Sequence, residues 1–450
     1  MRRLTLTAFL LSGLLPISQA EAQYFGRNQV QYRHLHFRVI ETEHFDVYYY
    51  EREREAALDA ARMAERAYAR LSRILSHKYR ERQPIILFAS HAEFQQNNIG
   101  QVDEATGGFT EWYRHRILLP FTGSYADFEH VLEHELVHQF QMDIFARGRV
   151  GAGIQRLMAV DPPLWFMEGM AEYLSSGPIT PQTAVWLRDA ALDRGLPSLV
   201  QLTWDPSYTP YRFGHALWSY VGERWGDETI GELLQAAGVS GIDGAFRRVL
   251  GLDLKDILAD WHDAIQRTYL PQLIDHEQAR HFARPVLTRE RSSGRLHIAP
   301  SLSPDGSQIA YLSEGNSFFI DLYLADAASG RVKRRLIKSA FSADFESLRF
   351  LNSVGSWSPD GRYFAFVAHR SGRDDLVIFD VQANRVANRI RVPLDGLTTP
   401  SWSPEGTRLA FTGYDAGFSD LFVIGVDGKG LERLTHDRFA DLHPAWAPDG

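Results

Sequence analysis

The sequence predicts an α+β domain followed by an all-β domain of repeated sheets, and three observations lead to this prediction. From Tyr24 to about Arg284, β-rich segments alternate with stretches whose apolar residues recur every three to four positions, as in amphipathic helices. From about Leu296 onwards the chain consists of short alternating strands in similar units. The 450 residues are 44% apolar and 23% charged, which is typical of folded globular proteins. We place the boundary between residues 285 and 286.

The overall charge and the cysteine content exclude several classes of function. The formal net charge is -8, whereas a protein that coats nucleic acid needs a basic surface, so we expect no nucleic-acid partner. Because the sequence contains no cysteine, disulfide bonds, thiolate metal ligands and cysteine nucleophiles are all excluded. Any catalytic or metal site must therefore use other side chains.

The first 22 residues have the layout of an export signal. Arg2 and Arg3 supply a positive start, the run up to Ile17 is mostly apolar, and Ala20-Glu21-Ala22 fits a cleavage site. We therefore predict that residues 1–22 are removed and that the protein is exported to the periplasm or cell envelope, or secreted. No later apolar run reaches the ~18 residues of a membrane-spanning helix.

The elements of the first domain, residues 23–285, can be predicted in order. The segment 36–50 is rich in β-formers and predicts one or two strands. The segment 51–82 carries apolar residues at helical spacing with Arg and Glu between them, which predicts a long amphipathic helix. Residues 84–89 predict a buried strand, and residues 108–121 predict a strand or hairpin before the next helix.

The second domain is marked by a repeated turn. The sequence Ser-Pro-Asp/Glu-Gly occurs at residues 303–306, 358–361 and 403–406, and Ala-Pro-Asp-Gly occurs at 447–450. Proline presets φ and glycine accepts a positive φ, so we interpret each motif as a tight turn between strands. A period of 40 to 50 residues with short strands is the signature of β-propeller blades.

These repeats resemble the TolB-type propeller family, in which W-S-P-D-G marks each blade. Trp357 and Trp402 fit the first position of that motif, whereas Leu302 departs from it. We predict that residues 286–450 form about three blades and the start of a fourth. Because a closed ring needs at least four blades, we expect an incomplete propeller and a chain that is part of a longer protein.

The first sign of chemistry is the sequence His134-Glu135-Leu136-Val137-His138. Two histidines at positions i and i+4 lie on one face of a helix, about one turn apart, which suits a single Zn²⁺ ion. The glutamate between them can act as the base that takes a proton from water activated by the metal. A metzincin would need Gly at 141 and His at 144, but these positions hold Gln141 and Ile144.

A third ligand is predicted from the next apolar helix. Asp161, followed by two prolines, predicts an N-cap with proline in the first turn, and the helix that follows is apolar nearly all round. It contains Glu168 and Glu172, and an unpaired buried carboxylate costs several kcal/mol. We therefore assign Glu168 to the metal and Glu172 to the free N–H of a ligand histidine.

Together the two helices resemble the gluzincin metallopeptidases, in particular the peptidase-MA-like group and the zinc aminopeptidases. The resemblance rests on His134-Glu135-x-x-His138 and on Trp165-Phe166-Met167-Glu168-Gly169-Met170-Ala171, and it covers roughly residues 37–269. It implies a zincin-type α+β fold, Zn²⁺ as the cofactor and a peptide or protein as the substrate.

The resemblance also implies a residue that stabilises the oxyanion. Tyr211-Arg212-Phe213-Gly214 resembles the Y-x-x-G helix start of the zinc aminopeptidases, in which the tyrosine hydroxyl donates to the oxyanion. Tyr211 takes this role by analogy, and Tyr208 and His215 are alternatives. The strand near Gly108 is expected to offer an edge on which an extended peptide can pair.

The sequence therefore predicts an exported zinc metallopeptidase in which Glu135 and Tyr211 are catalytic, with a propeller that docks the substrate or a protein partner. One alternative is a binding or scaffold protein of the cell envelope in which the propeller performs the function. Another is a zinc hydrolase with a non-peptide substrate. The intact Glu135 favours an enzyme, because a purely structural zinc site has no use for that carboxylate.

Overall fold

A computed structural model of the chain describes residues 30–32, 34–100, 102–111, 114–146, 160–292, 294–315, 319–338, 346–349, 351 and 353–450. The predicted export signal, residues 1–22, lies outside this part of the chain. The described chain has a largely helical N-terminal part built on one sheet, followed by a β-propeller-like C-terminal region.

The N-terminal sheet has five strands in the order β1-β2-β3-β5-β4. They are β1 (Arg38–Glu41), β2 (Phe45–Tyr49), β3 (Gln83–Phe88), β4 (Phe109–Glu111) and β5 (Arg116–Pro120). Strand β3 runs parallel to both β2 and β5, whereas β1 and β4 are antiparallel edge strands. The strands predicted in residues 36–50, 84–89 and 108–121 are confirmed, and the first and last of these segments each form a hairpin.

The described residues contain twelve α-helices, all of which precede the first strand of the C-terminal region. They are α1 (Arg54–Ile74), α2 (His91–Phe94), α3 (Tyr125–Ala146), α4 (Leu164–Ser176), α5 (Pro181–Asp189), α6 (Leu199–Trp204), α7 (Pro210–Trp225), α8 (Glu228–Leu250), α9 (Leu254–Tyr269), α10 (Gln272–Asp275), α11 (Ala279–Phe282) and α12 (Arg289–Ser292). One hydrophobic core joins the sheet to the long helices.

The helix predicted for residues 51–82 is shorter than expected. It ends at Ile74 in a Schellman motif, in which Ser76 adopts a φ of 47°. The His77 N–H donates to the Ser72 carbonyl (3.0 Å) and the Ser76 N–H donates to the Arg73 carbonyl (3.2 Å). These bonds satisfy carbonyls that would otherwise be left unpaired at the helix end, and they turn the chain towards β3.

The predicted N-cap of the second site helix is wrong. Asp161 has a φ of 42°, and α4 begins at Leu164 with Pro163 as its N-cap and no side-chain cap. The reason is steric, because a residue that precedes proline is disfavoured in the α region. Pro162 precedes Pro163, so the helix starts only after the second proline.

Helices α4 and α7 approach each other closely at two glycines. A Cβ atom on Gly169 would lie 2.4 Å from the Gly214 carbonyl carbon, and one on Gly214 would lie 2.5 Å from the Trp165 carbonyl oxygen. Next to this contact, the Trp218 indole N–H donates to the Phe166 carbonyl at 3.0 Å. The two helix axes can therefore be close only because both positions lack a side chain.

Within the residues that the structure describes, the C-terminal region forms three antiparallel sheets. Sheet 1 comprises β6 (Ile298–Leu302), β7 (Gln308–Ser313), β8 (Asp321–Asp326) and β9 (Val332–Ile337). Sheet 2 comprises β10 (Ser347–Leu348), β11 (Ser356–Trp357), β12 (Tyr363–Arg370), β13 (Arg373–Asp380) and β14 (Arg385–Ile390). Sheet 3 comprises β15 (Gly396–Trp402), β16 (Arg408–Asp415), β17 (Phe418–Gly425) and β18 (Glu432–Arg433).

The repeated turns have the predicted conformation. Gly306, Gly361 and Gly406 have φ values of 72°, 68° and 78°, and in each turn the glycine N–H donates to the serine carbonyl three residues earlier. The tryptophan of the motif joins neighbouring sheets, since the Trp357 indole N–H donates to the Ser301 carbonyl at 3.0 Å. The motif therefore both turns the chain and fastens one sheet to the next.

Sheet 3 contacts the start of α3. The Ser419 hydroxyl donates to the Gly123 carbonyl at 2.9 Å, and Gly123 forms a β-bridge with Phe418. The Phe418 ring also packs on Tyr125, the first residue of α3, with ring centroids 5.7 Å apart. The propeller-like region therefore borders the helix that carries the predicted metal ligands.

We predict that Gly169→Ala destabilises the protein, because the added methyl group overlaps the α7 backbone. Overpacking of a tight core contact typically costs ~1–3 kcal/mol of unfolding free energy. Gly100→Ala is the control, since its methyl group would lie 3.7 Å from the nearest atom of the Phe109 ring, an ordinary van der Waals distance. Urea or thermal unfolding measures both variants, and equal stabilities would contradict the proposed tight contact.

Candidate functional site

Helix α3 carries two histidines, His134 and His138, whose side chains meet. The His134 and His138 Nε2 atoms lie 3.1 Å apart, and both side chains are largely buried, with 10% and 13% of their surfaces exposed. Their spacing of four residues places both rings on the same face of the helix. The geometry expected of the two histidines is therefore present.

Helix α4 adds a carboxylate to this pair. The Glu168 Oε2 atom lies 3.2 Å from His134 Nε2 and 3.1 Å from His138 Nε2. Ligand atoms bound at ~2.1 Å around a tetrahedral Zn²⁺ are about 3.4 Å apart, so the three atoms are spaced as one face of such a tetrahedron. In the described chain, this is the one group of three His, Asp or Glu side chains that could share an ion.

The second ring nitrogen of His134 faces Glu172. Its Nδ1 atom lies 3.4 Å from Glu172 Oε1, which matches the role predicted for this glutamate. Arg212 on α7 donates to Glu172 Oε2 at 3.1 Å, and His130 Nε2 lies 3.6 Å from Glu172 Oε1. Glu172 is thus held from three sides, and it can orient His134 so that Nε2 points towards Glu168 and His138.

The second ring nitrogen of His138 is held by a residue that the sequence reasoning did not assign. The His138 Nδ1 atom lies 2.9 Å from Gln141 Oε1, and the Gln141 amide in turn donates to the Met167 carbonyl at 3.0 Å. Gln141 is fully buried. Its position three residues after His138 on the same helix was the signal that could have identified it.

Burial and neighbouring charges shift the pKa values of the site residues in opposite directions. Burial alone lowers the pKa of His134, but the adjacent Glu168 and Glu172 carboxylates outweigh it and raise this pKa to about 10. Burial likewise raises the pKa of both glutamates, yet their histidine partners hold these pKa values well below the usual range. The cluster therefore carries one buried carboxylate (Glu172) and one largely buried carboxylate (Glu168), and both require positive charge, either a proton on imidazole or a cation.

Glu135 lies beside the cluster and is held by the edge strand β4. The Thr110 hydroxyl lies 2.5 Å from Glu135 Oε2 and 3.0 Å from the Glu135 carbonyl oxygen. A Cβ atom on Gly108 would lie 2.7 Å from Glu135 Cγ, so the backbone passes directly over this side chain. Glu135 is largely buried, and the Thr110 hydroxyl contacts one of its two carboxylate oxygens.

The three candidates for the oxyanion donor differ in position. The Tyr211 ring stacks on the His134 ring, with centroids 6.0 Å apart, and 42% of its surface is exposed. The Tyr208 hydroxyl instead donates to the Gly195 carbonyl, and His215 is fully buried between Thr183 and the Gly177 carbonyl. Among these three residues, Tyr211 is the one beside the cluster.

The Tyr211 hydroxyl also keeps its proton over a wide pH range. Burial and the neighbouring Glu168 carboxylate raise its pKa well above the usual value for tyrosine. A protonated hydroxyl at this place can donate a hydrogen bond to a developing negative charge.

Comparisons with known proteins identify the C-terminal region. Residues 351–450 match the family model described as the TolB beta propeller domain (PD40). This part of the chain is therefore a TolB-like β-propeller domain, and the resemblance drawn from the W-S-P-D-G motifs is confirmed for it.

One curated relative and several solved structures are also similar to the chain. An uncharacterized protein of Treponema pallidum (strain Nichols) is 26% identical over 347 residues, which is 73% of this chain but only 28% of that protein. A putative TolB from Agrobacterium tumefaciens is 22% identical with a TM-score of 0.30, covering 36% of this chain and 54% of that one. TolB from Acinetobacter baumannii is 23% identical with a TM-score of 0.30, covering 34% and 36%.

The chain thus spans little more than a quarter of the length of its Treponema relative. Within the described residues, no helix has both the length and the apolar character needed to cross a membrane.

We predict that Gln141→Leu weakens Zn²⁺ binding by ~10- to 100-fold, because His138 loses the acceptor that fixes its orientation. The matched control is Gln139→Leu on the same helix, since the Gln139 amide instead bonds to Gln83 and to the His115 carbonyl. Competition with a chromophoric chelator measures both affinities. Equal affinities in wild type and Gln141→Leu would contradict the assigned role.

Proposed function

We propose that the chain is an exported zinc-dependent metallopeptidase whose propeller docks substrates or protein partners. One observation carries the proposal: the ligand atoms of His134, His138 and Glu168 converge within hydrogen-bonding distance of one another. The donor set of two imidazole nitrogens and one carboxylate oxygen, which leaves one position open, suits a catalytic Zn²⁺. The N-terminal sequence supports export to the periplasm or cell envelope.

The chemistry divides among residues of three helices, α3, α4 and α7. Bound Zn²⁺ supplies a Lewis acid that polarises the scissile carbonyl and makes water more acidic. Glu135 accepts the proton from the attacking water and passes it to the leaving amine. The Tyr211 hydroxyl donates to the carbonyl oxygen as negative charge develops on it. His134 and His138 are kept in orientation by Glu172 and Gln141.

The strand next to Glu135 supports a peptide as the substrate. Strand β4 is an edge strand that pairs with β5, and an extended polypeptide can add to such an edge by main-chain hydrogen bonds. Its acidic residue, Glu111, forms an ion pair with Arg116. Because this carboxylate is already paired, it is not available to a free amino terminus, which favours internal cleavage over aminopeptidase action.

A binding or scaffold protein of the cell envelope is the second candidate. It is favoured by the match of residues 351–450 to the TolB beta propeller domain, because propellers present surfaces on which proteins dock. In this case the buried His and Glu cluster would serve the structure of the N-terminal part, and no reaction would depend on Glu135.

The metal assignment has a direct test. We predict that the purified protein binds one Zn²⁺ and that Glu168→Ala loses it, because two imidazoles alone leave the site one ligand short. Elemental analysis of the dialysed protein measures the content. The matched control is Glu129→Ala, a partly exposed residue on α3 that pairs with Arg66. Absence of zinc in the wild type, or unchanged zinc in Glu168→Ala, would contradict the assignment.

Two substitutions separate the enzyme from the scaffold. Glu135→Gln removes the proton acceptor at nearly constant size, so we predict a ~10²- to 10⁴-fold lower cleavage rate with zinc retained. Tyr211→Phe removes one oxyanion donor and is expected to cost about 10²- to 10³-fold. Cleavage of a peptide library measures both, and Glu133→Gln, whose side chain pairs with Arg70, is the control.

A scaffold would tolerate both substitutions without loss of function. The enzyme proposal fails if Glu135→Gln cuts a peptide as fast as the wild type does.

A further inference from the structure

The segment that leads into β4 lies directly on α3. A Cβ atom on Gly107 would be 3.4 Å from Val131, and one on Gly108 would be 2.7 Å from Glu135 Cγ. Val131 and Glu135 are one helical turn apart, so the two glycines let the backbone run along this face of the helix without a side chain between them. The lead-in segment, residues 103–108, therefore sets the distance between β4 and α3.

Thr110 transmits that position to the general base. Thr110 is 6% exposed, and its hydroxyl donates to Glu135 Oε2 at 2.5 Å. The same hydroxyl lies 3.0 Å from the Glu135 carbonyl oxygen, which ties the strand to both the backbone and the carboxylate of one residue. The orientation of Glu135 thus depends on where β4 lies.

Propeller sheet 2 holds the lead-in segment from the other side. Arg349, which follows β10, donates to His91 Nδ1 at 3.1 Å, and His91 Nε2 contacts the Thr106 carbonyl at 3.2 Å. The Leu351 N–H donates to Glu104 Oε1 at 2.9 Å. The propeller therefore contacts residue 104 directly and residue 106 through His91, and both residues lie shortly before the two glycines.

Arg349 is itself rigidly fixed. It is 5% exposed, and its guanidinium lies 2.9 Å from Asp374 Oδ1 on β13. Burial and the adjacent Arg349 lower the pKa of His91 to about 4. His91 is therefore neutral at physiological pH, with Nδ1 accepting from Arg349 and Nε2–H donating to Thr106. Both ring nitrogens of His91 therefore have a partner within the protein.

We propose that the propeller positions the general base: sheet 2 holds the lead-in segment through His91, and Thr110 passes this constraint to Glu135. Thr110 is thus a positioning residue rather than a catalytic one. The inference deepens the proposed function and rests on it, because it assigns a regulator to the same site. A partner that displaces sheet 2 would then change the rate of hydrolysis without touching the zinc ligands.

The activity test compares Thr110→Val, Thr110→Ser and His91→Leu with the double variant Thr110→Val/His91→Leu. His91→Leu is chosen because Arg349 keeps Asp374 as its partner. We expect Thr110→Val to lower kcat by ~10- to 100-fold with unchanged KM and zinc content, because the base loses its orientation. Thr110→Ser keeps the hydroxyl and should restore kcat to within about threefold of the wild type.

His91→Leu should lower kcat by roughly 3- to 10-fold, which is the size of a coupling through packed contacts. If His91 acts through Thr110, the double variant equals Thr110→Val alone, whereas independent effects multiply. Thr412→Val, which removes a buried strand hydroxyl within sheet 3, is the control for general loss of stability. A wild-type kcat in Thr110→Val, or multiplied effects in the double variant, would overturn the proposal.

A second measurement does not depend on catalysis. In zinc-free protein, hydrogen exchange followed by mass spectrometry should show residues 104–111 exchanging about 3- to 30-fold faster in His91→Leu, with α4 unchanged. Unaltered exchange in this segment would overturn the link to the propeller. If the wild type cuts no peptide but the exchange responds, the proposed function fails while the mechanical link between sheet 2 and β4 stands.

Discussion

Two carboxylates on α4, one buried (Glu172) and one largely buried (Glu168), are the constraint on which the site depends. Glu168 and Glu172 lie one turn apart in a helix whose other residues are mostly apolar, and an unpaired buried carboxylate costs several kcal/mol. Their partners come from two other helices, since α3 supplies His134 and His138 and α7 supplies Arg212. The pairing therefore fixes α3, α4 and α7 relative to one another, and any cation would bind where this negative charge is concentrated.

The same constraint explains why α4 and α7 meet at glycines. Tyr211 and Arg212 lie in the first turn of α7, and they reach Glu168 and Glu172 only if the two helices approach closely. Gly214 and Gly169 provide that approach, since a Cβ on either residue would overlap backbone atoms of the neighbouring helix. Tight backbone packing and charge pairing thus support each other in the same few residues.

The contacts that could be predicted from the sequence are those between residues close together in the chain. The pairs His134/His138 and Glu168/Glu172 were predicted because a spacing of four residues on one helix is a local property. Tyr211 was reached only through a resemblance. Thr110 escaped prediction because its contact with Glu135 joins a strand to a helix 25 residues further on, and no periodicity encodes that pairing.

The misplaced start of α4 has a different cause. Asp161 followed by proline is a good local signal for an N-cap, but the second proline overrides it by excluding Pro162 from the α region. Similarly, the predicted extent of α1 failed because apolar spacing continues past Ile74, whereas the Schellman motif at Ser76 ends the helix. In both places a restriction on the backbone of one residue decided where the helix begins or ends, and the side-chain pattern did not.

The propeller and the helical part are best understood as one mechanical unit rather than as two attached modules. Sheet 3 contacts the first residues of α3 through Ser419 and Phe418, and sheet 2 contacts the segment before β4 through Arg349. These two places flank the stretch of α3 that carries Val131 and Glu135. A protein that binds the propeller would therefore act on the start of α3 and on strand β4, which lies beside Glu135. For this reason the proposed docking role of the propeller and the proposed catalytic role of the helical part are compatible, because the contacts between the two parts lie next to Glu135.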